Sequence, residues 1–427
     1  MTMLLFGLFA VMMLMGVPLA TAMGLSGAAA IAAAKLGLLS VPISVYTGVA
    51  KYPLLAIPMF VFAGMVFERS GVALRLVNFT VALVGPLRGG LAVAAILVCM
   101  VLGGISGSGP ADAAAVAMVM IPGMAAAGYP KAFSSSLIAA AGSTAILIPP
   151  SIAFILYSVL VPQASVPALF AAGLIPGFLA GLALVIPAWA LSVRHGFGLV
   201  EDGASCGSIL IAFKEAVWGL LAPVIILGGI RSGYFTPTEA AVAAVFYGLF
   251  VGFFVYRTLT LRSMYELLVE SAEVSAVVML IIALSSVFAW AGSTLGAFEA
   301  MGHALIGVST NETVTLLAVI VVLFIAGMFL DGVSILFIFI PILLPVMAHF
   351  GWNAVWFGVL MTMSLAIGQF TPPLALNLMV TTRIAGIGME ETVPWVLWFV
   401  LAMTLAMLLV MFVPQLTLLV PGYLGYL

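Results

Sequence analysis

The groups that could do chemistry in this chain sit in two glycine-rich turns and at two proline pairs. The first turn reads Leu102-Gly103-Gly104-Ile105-Ser106-Gly107-Ser108-Gly109-Pro110-Ala111-Asp112. Its glycines let the backbone reverse sharply, and Pro110 suits the first turn of a returning helix. Ser106 and Ser108 offer hydroxyl oxygens, and a turn leaves peptide carbonyls bare. A hard cation such as Na⁺ wants an oxygen cage of this kind. Asp112 lies near the start of the second arm, where a carboxylate complements the helix dipole. The first proline pair ends the stretch Ala141-Gly142-Ser143-Thr144-Ala145-Ile146-Leu147-Ile148-Pro149-Pro150-Ser151. Two prolines remove two donors and disfavour helix just before them. The backbone should therefore unwind near Ala145 to Ile148 and present carbonyls.

The second half repeats the scheme with other polar atoms. Gly327-Met328-Phe329-Leu330-Asp331-Gly332 forms a second tip, and Asp331 is the only acid between Glu312 and Glu390. An ionisable residue inside an apolar segment is functional by default. Gly368-Gln369-Phe370-Thr371-Pro372-Pro373-Leu374-Ala375-Leu376-Asn377 forms a second break. Thr371 offers a hydroxyl there and Asn377 an amide oxygen. Arg383 is the only Lys or Arg after Arg262. Its planar fork suits a carboxylate or sulfonate. The competing reading is an Arg that snorkels to the interface at a helix end. Asp112, Asp331, Asn377 and Arg383 are the candidate substrate contacts.

The elements that hold these groups must lie in a membrane. Of 427 residues, 65% are hydrophobic and 6% charged, with 12 Lys+Arg against 14 Asp+Glu. That many charges cannot cover a soluble globule, which usually carries about 25% charged residues. The composition excludes a soluble enzyme, a disordered chain and a nucleic-acid binder with a basic face. Residues 1–34, 132–193 and 332–382 contain no Asp, Glu, Lys or Arg. A span needs about 20 apolar residues, so these runs must fold back within or beside the bilayer. The ten-residue alternation of a β-barrel is absent. Cys99 and Cys206 lack any CxxC spacing, and His195, His303 and His349 are scattered. Neither a disulfide framework nor a metal cluster is indicated. No GxxxxGK[ST], GxSxG or HExxH motif occurs, so no cofactor, ATP hydrolysis or hydrolase chemistry is expected.

Apolar helices are expected over 3–33, 52–67, 72–87, 89–105, 110–127, 131–148, 151–161 and 167–193. The second half offers 213–230, 237–256, 262–290, 293–308, 312–330, 333–349, 353–368, 373–386 and 393–420. Displacing the sequence by 223 residues lays Gly104 on Gly327, Gly109 on Gly332, Pro122 on Pro345 and Gly128 on Gly351. It also lays Pro149-Pro150 on Pro372-Pro373. Such matched interruptions point to a secondary transporter's binding site. The expected organisation is a first repeat at 1–195, with a hairpin at 89–127 and a broken helix at 131–161. A loop at 196–212 joins it to a second repeat at 213–427. That repeat holds a hairpin at 312–349, a broken helix at 353–386 and a final helix at 393–420.

The stretch Gly104 to Pro150, the segment Gly233-Tyr234-Phe235-Thr236-Pro237-Thr238-Glu239-Ala240-Ala241, the tip Met328-Phe329-Leu330-Asp331 and the stretch Gly368 to Asn377 carry a resemblance. Together they resemble the large, DctM-type membrane subunit of tripartite ATP-independent periplasmic (TRAP) transporters, along essentially the whole chain. The resemblance implies an all-α, multi-span fold of two inverted repeats in a bacterial inner membrane. It implies an elevator in which a transport domain carrying both hairpins slides against a scaffold, driven by a Na⁺ gradient. One Na⁺ would be held by Ser106, Ser108 and the backbone at Ala145, Ile148 and Pro149. A second would be held by Gly327, Gly368, Thr371 and Leu374. A substrate would lie between the tips, with Arg383 as an anion contact, although Arg there is not general in the family. The implied partners are membrane lipid, a small transmembrane subunit and a periplasmic substrate-binding protein. No extra small-subunit segment precedes the first span, so the small subunit is expected as a separate chain. The expected function is Na⁺-coupled import of a small organic anion. The alternatives are an ion-coupled carrier acting without a binding protein, and a channel.

Overall fold

The structure is a computed structural model and describes residues 1–85, 87–198 and 206–427. Among the described residues it is all helical, without a strand. Among the described residues, nine helices are long and apolar enough to cross a membrane. Helices suit that environment because every backbone donor and acceptor is satisfied within the segment.

The first half contains α1 (Thr2–Leu14), α2 (Leu19–Ala33), α3 (Ser40–Val49), α4 (Ala56–Arg69), α5 (Val72–Val84), α6 (Gly90–Ser106), α7 (Gly109–Ala126), α8 (Lys131–Ser143), α9 (Ile152–Leu160) and α10 (Val166–His195). The second contains α11 (Cys206–Arg231), α12 (Pro237–Phe250), α13 (Leu261–Thr294), α14 (Ala297–Val308), α15 (Glu312–Phe329), α16 (Gly332–Phe350), α17 (Ala354–Gly368), α18 (Leu376–Ala385), α19 (Val393–Phe412) and α20 (Gln415–Tyr423). The order α6, α7, α8, break, α9 recurs as α15, α16, α17, break, α18.

Three expectations need correction. The stretch 3–33 is two helices, because Gly16 takes a left-handed φ of 79° and Pro18 cannot donate to the preceding turn. The stretch 393–420 is also two, because Pro414 pushes Val413 out of helical geometry, with ψ at 74°. The segment between Ala34 and Lys51, read as a connector, holds α3. Its buried residues are Ser44 and Gly48, which face α13. Small polar residues make that contact, so no apolar stripe announces it. Of the expected loop 196–212, residues 199–205 lie outside the described residues, and α11 already begins at Cys206.

The long α13 and the two hairpins are the centres of the packing, and α16 of the second hairpin lies against α13. α13 lies along α2, α3 and α4, while α12 packs on α4 and α11 on α5. Each hairpin packs on a broken helix: α7 packs on α8 and on α18 of the other half, and α15 packs on α17. Glu266, Glu270 and Glu273 lie in the first half of the 34-residue α13. Arg262 pairs with Glu266 one turn on, and Arg69 of α4 pairs with Glu270 at 2.9 Å. Both ion pairs are exposed, so each contributes about 0–1 kcal/mol.

Candidate functional site

The first interruption begins where α8 ends at Ser143. A single 3-10 turn covers Thr144–Ile146, and α9 starts only at Ile152. Ser151 caps α9, accepting from Phe154 N–H at 3.3 Å and donating to the Ile146 carbonyl at 2.5 Å. Neither Pro149 nor Pro150 has an N–H to return. The carbonyls of Ala145, Ile148 and Pro149 therefore receive no backbone hydrogen bond among the described residues. All three residues are buried.

The hairpin tip lies directly on this break. α6 stops at Ser106, Gly107 turns left-handed with φ 63°, and α7 starts at Gly109. A Cβ on Gly103 would stand 2.6 Å from Ala145 Cα, and one on Gly107 would stand 2.4 Å from the Pro150 carbonyl oxygen. Glycine is what allows the tip to reach the unwound backbone.

The Ser106 side chain points elsewhere. Its hydroxyl donates to Asp112 Oδ1 at 2.6 Å and accepts from Ser108 N–H at 3.2 Å. It packs against Gly64 of α4, where an added Cβ would lie 3.0 Å from Ser106 Cβ. Ser106, Ser108 and Asp112 line a cavity of about 170 Å³ with Gly64 and Glu68, and residues 145–149 are not in its wall. The Ser106 hydroxyl is thus engaged with Asp112, and both serines line a cavity in whose wall the three carbonyl residues do not appear.

The second interruption is built the same way from different atoms. α17 ends at Gly368, the chain turns through Gln369–Ala375, and α18 begins at Leu376. A Cβ on Gly368 would lie 2.5 Å from the Gly327 carbonyl carbon, so the ends of α15 and α17 touch through backbone. Thr371 donates its hydroxyl to the Ile367 carbonyl at 2.7 Å. The carbonyls of Gly327, Thr371 and Leu374 receive no backbone hydrogen bond among the described residues. Thr371 is buried, whereas the Leu374 side chain is 49% exposed.

Asp331 is the N-cap of α16. Its carboxylate accepts from Val333 N–H at 3.0 Å, Ser334 N–H at 3.2 Å and the Ser334 hydroxyl at 2.5 Å. It lines a cavity of about 140 Å³ with Gly327, Gln369, Leu374 and Met379. Asn377 is fully buried and donates from Nδ2 to the Ala139 carbonyl at 3.1 Å. It ties α18 to α8 and is not in that wall. Arg383 is exposed in the last turn of α18, outside the same wall. There it complements the negative end of the helix dipole. Beside it Lys131 donates to the Ala385 carbonyl at 3.1 Å.

Two residues were missed by the sequence reading. Gln369 lies between the hairpins: a Cβ on Gly109 would meet its Oε1 at 2.6 Å, and one on Gly332 its Nε2 at 3.9 Å. Its Oε1 is buried without a partner among the described residues. An amide next to a proline break was the available signal, but the segment was read for its backbone. Glu68 faces Asp112 across the first cavity. Its place beside Arg69 near a helix end gave no sign of that cavity in the sequence.

The comparisons with known proteins decide the family. The sequence profile described as "Tripartite ATP-independent periplasmic transporter, DctM component" matches residues 6–416. The chain belongs to that family. It is 38% identical over 420 residues to the isethionate TRAP transporter permease protein DctMQ of Oleidesulfovibrio alaskensis, covering 98% of this chain and 66% of that one. It is 35% identical over 436 residues to the C4-dicarboxylate TRAP transporter large permease protein DctM of Rhodobacter capsulatus, covering 99% of each. The YdaH transporter of Alcanivorax borkumensis has a similar fold, with a TM-score of 0.60 at 14% identity over 88% of both chains. This DctM-family chain is a multi-span helical membrane protein of the bacterial inner membrane.

Proposed function

We propose that this chain is the transport subunit of a Na⁺-coupled importer for a small organic anion, a carboxylate or a sulfonate. The observation that carries the reading is the pair of helix breaks. The first, which is buried, leaves the carbonyls of Ala145, Ile148 and Pro149 among those without a backbone hydrogen bond; the second leaves those of Thr371 and Leu374, next to the Gly327 carbonyl at the end of α15; each is pressed against a glycine of the matching hairpin. In a bilayer an unsatisfied carbonyl costs several kcal/mol, so such a break persists where an ion, water or ligand satisfies it. One Na⁺ would take the oxygens of Ala145, Ile148 and Pro149. A second would take those of Gly327, Thr371 and Leu374, beside Gly368, together with the Thr371 hydroxyl oxygen, whose proton is given to the Ile367 carbonyl and whose lone pairs stay available. The anion would bind between the tips near Gln369, where the N-termini of α7 and α16 approach each other. Helix N-termini present bare N–H groups and a positive field to an anion. Asp331 does not defeat this, because its charge is spent on the cap of its own helix.

The relatives' names support the substrate class, since isethionate is a sulfonate and C4-dicarboxylates are carboxylates. The words tripartite and periplasmic in the family's description support two further components, which this reading takes to be a periplasmic binding protein and a small membrane subunit. Movement of the paired hairpins against α4, α12 and α13 would supply alternating access of the elevator type. The test is uptake of labelled isethionate and succinate into liposomes holding this chain with its small subunit and binding protein. Uptake should follow an inward Na⁺ gradient. In the variant Thr371→Val, the Na⁺ concentration for half-maximal uptake should rise about tenfold, a change of about 1.4 kcal/mol. Uptake indifferent to Na⁺ in wild type would remove the coupling ion. Uptake without any binding protein would favour the independent carrier.

A further inference from the structure

The cavity of about 170 Å³ on the far side of the first hairpin tip is not used by the proposed carbonyl sites. Its wall combines Glu68 of α4, Ser106, Ser108 and Asp112 of the hairpin, and Val274 of α13. Asp112 is 4% exposed, and its Oδ2 has no hydrogen-bond partner among the described residues. Oδ1 is held by the Ser106 hydroxyl at 2.6 Å, which fixes the orientation of the carboxyl group. No Lys, Arg or His lines the cavity. The nearest base in sequence, Arg69, is close enough to attract Glu68 but makes its ion pair with Glu270 and does not line the cavity. Two carboxyl groups therefore line one small cavity that no positive side chain lines with them. Like charges so placed repel, and a buried charge without a partner is costly.

From this the geometry points to a third cation site, distinct from the two carbonyl sites, in which a monovalent hard cation bridges Glu68 of α4 to Asp112 of α7. Asp112 Oδ2, the Glu68 carboxylate and the Ser108 hydroxyl are the protein oxygens, and the cavity leaves room for water to complete the shell. A divalent ion is not matched. Ca²⁺ wants six to eight oxygens, and no group of three or more His, Cys, Asp or Glu side chains is placed to hold a metal ion among the described residues. The site spans two elements that the proposed mechanism moves past each other. An ion held there ties the hairpin to α4, and its loss frees the hairpin to slide. The inference rests on the reading of the chain as a cation-coupled carrier.

The experiment counts ²²Na⁺ bound at equilibrium to the full chain with its small subunit in lipid nanodiscs, at fixed pH in a K⁺ background. Wild type is compared with Glu68→Gln, Asp112→Asn, Thr371→Val and the double variant Glu68→Gln/Thr371→Val. Glu68 is only half-buried, so its isosteric variant folds even if the Asp112 variant does not. The expected result is one Na⁺ fewer in Glu68→Gln than in wild type, and a further one lost in the double variant. A wild-type count in Glu68→Gln overturns the site. If that variant instead loses only a pH-dependent shift in thermal midpoint, the occupant is a proton and the assignment to a metal cation is overturned. A loss in Glu68→Gln alone, with Thr371→Val unchanged, keeps this site and sinks the second carbonyl site. Those two failures are therefore distinguishable.

Discussion

The two hairpin tips solve one construction problem in opposite ways. Both second arms begin with a polar N-cap, Ser108 for α7 and Asp331 for α16, and the 223-residue displacement superimposes them. Asp331 completes its cap with three hydrogen bonds. Ser108 makes no side-chain cap bond, and the first tip's acid sits one turn further on, at Asp112, where the second half has the buried Ile335. The second tip thus neutralises its own charge against its own helix. The first keeps a carboxylate oxygen free and turns it toward α4. Repeated backbone does not imply repeated electrostatics. The glycines and prolines that shape the turn recur, while the charges that give each turn its chemistry do not.

Substitutions can break or sharpen this contrast. The largest effect is expected from Gly368→Ala, because the new methyl would stand 2.5–2.7 Å from Gly327 backbone that cannot rotate away. Uptake should fall below detection, with a loss of about 1–3 kcal/mol in stability read as a lower thermal midpoint. Gly332→Ala, where a Cβ meets nothing closer than 3.8 Å, should leave both nearly unchanged. Next comes Gln369→Ala, which removes the amide between the two tips. It should raise the substrate concentration for half-maximal uptake about tenfold, or about 1.4 kcal/mol, at unchanged maximal rate. An unaltered half-saturation takes Gln369 out of the site. Asp331→Ala should cost about 1 kcal/mol in chemical denaturation through loss of the cap, while Ser108→Ala should cost less than about 0.5 kcal/mol. Equal costs would mean that the caps do not differ as described. The smallest effect belongs to Arg383→Ala. Exposed at the end of α18, it should change substrate half-saturation by less than about twofold. A tenfold rise would return Arg383 to the anion site.

Much of the backbone was legible before any coordinates. The double prolines cannot supply N–H groups wherever they stand in the fold, so Ala145 to Pro149 and Gly368 to Leu374 had to lose helical hydrogen bonds. The glycine-rich turns had to reverse the chain for the same local reason. The errors follow the same logic. Gly16-Val17-Pro18 and Val413-Pro414 carry breakers that were overrun because the flanking residues were uniformly apolar. α3 escaped because Ser44 and Gly48, not large apolar residues, make its contact.

What the amino-acid sequence determined by itself is the membrane location, the helical class and the places where helices must stop. Those follow from composition and from the covalent chemistry of proline and glycine. What only the tertiary structure decided is which side-chain oxygens face which space. Ser106 engages Asp112, Glu68 arrives from a distant helix, Gln369 comes to lie between the tips, and Arg383 falls outside them. Side-chain direction depends on how one helix is rotated against another, and that rotation is set by packing over the whole interface rather than by any local run of residues.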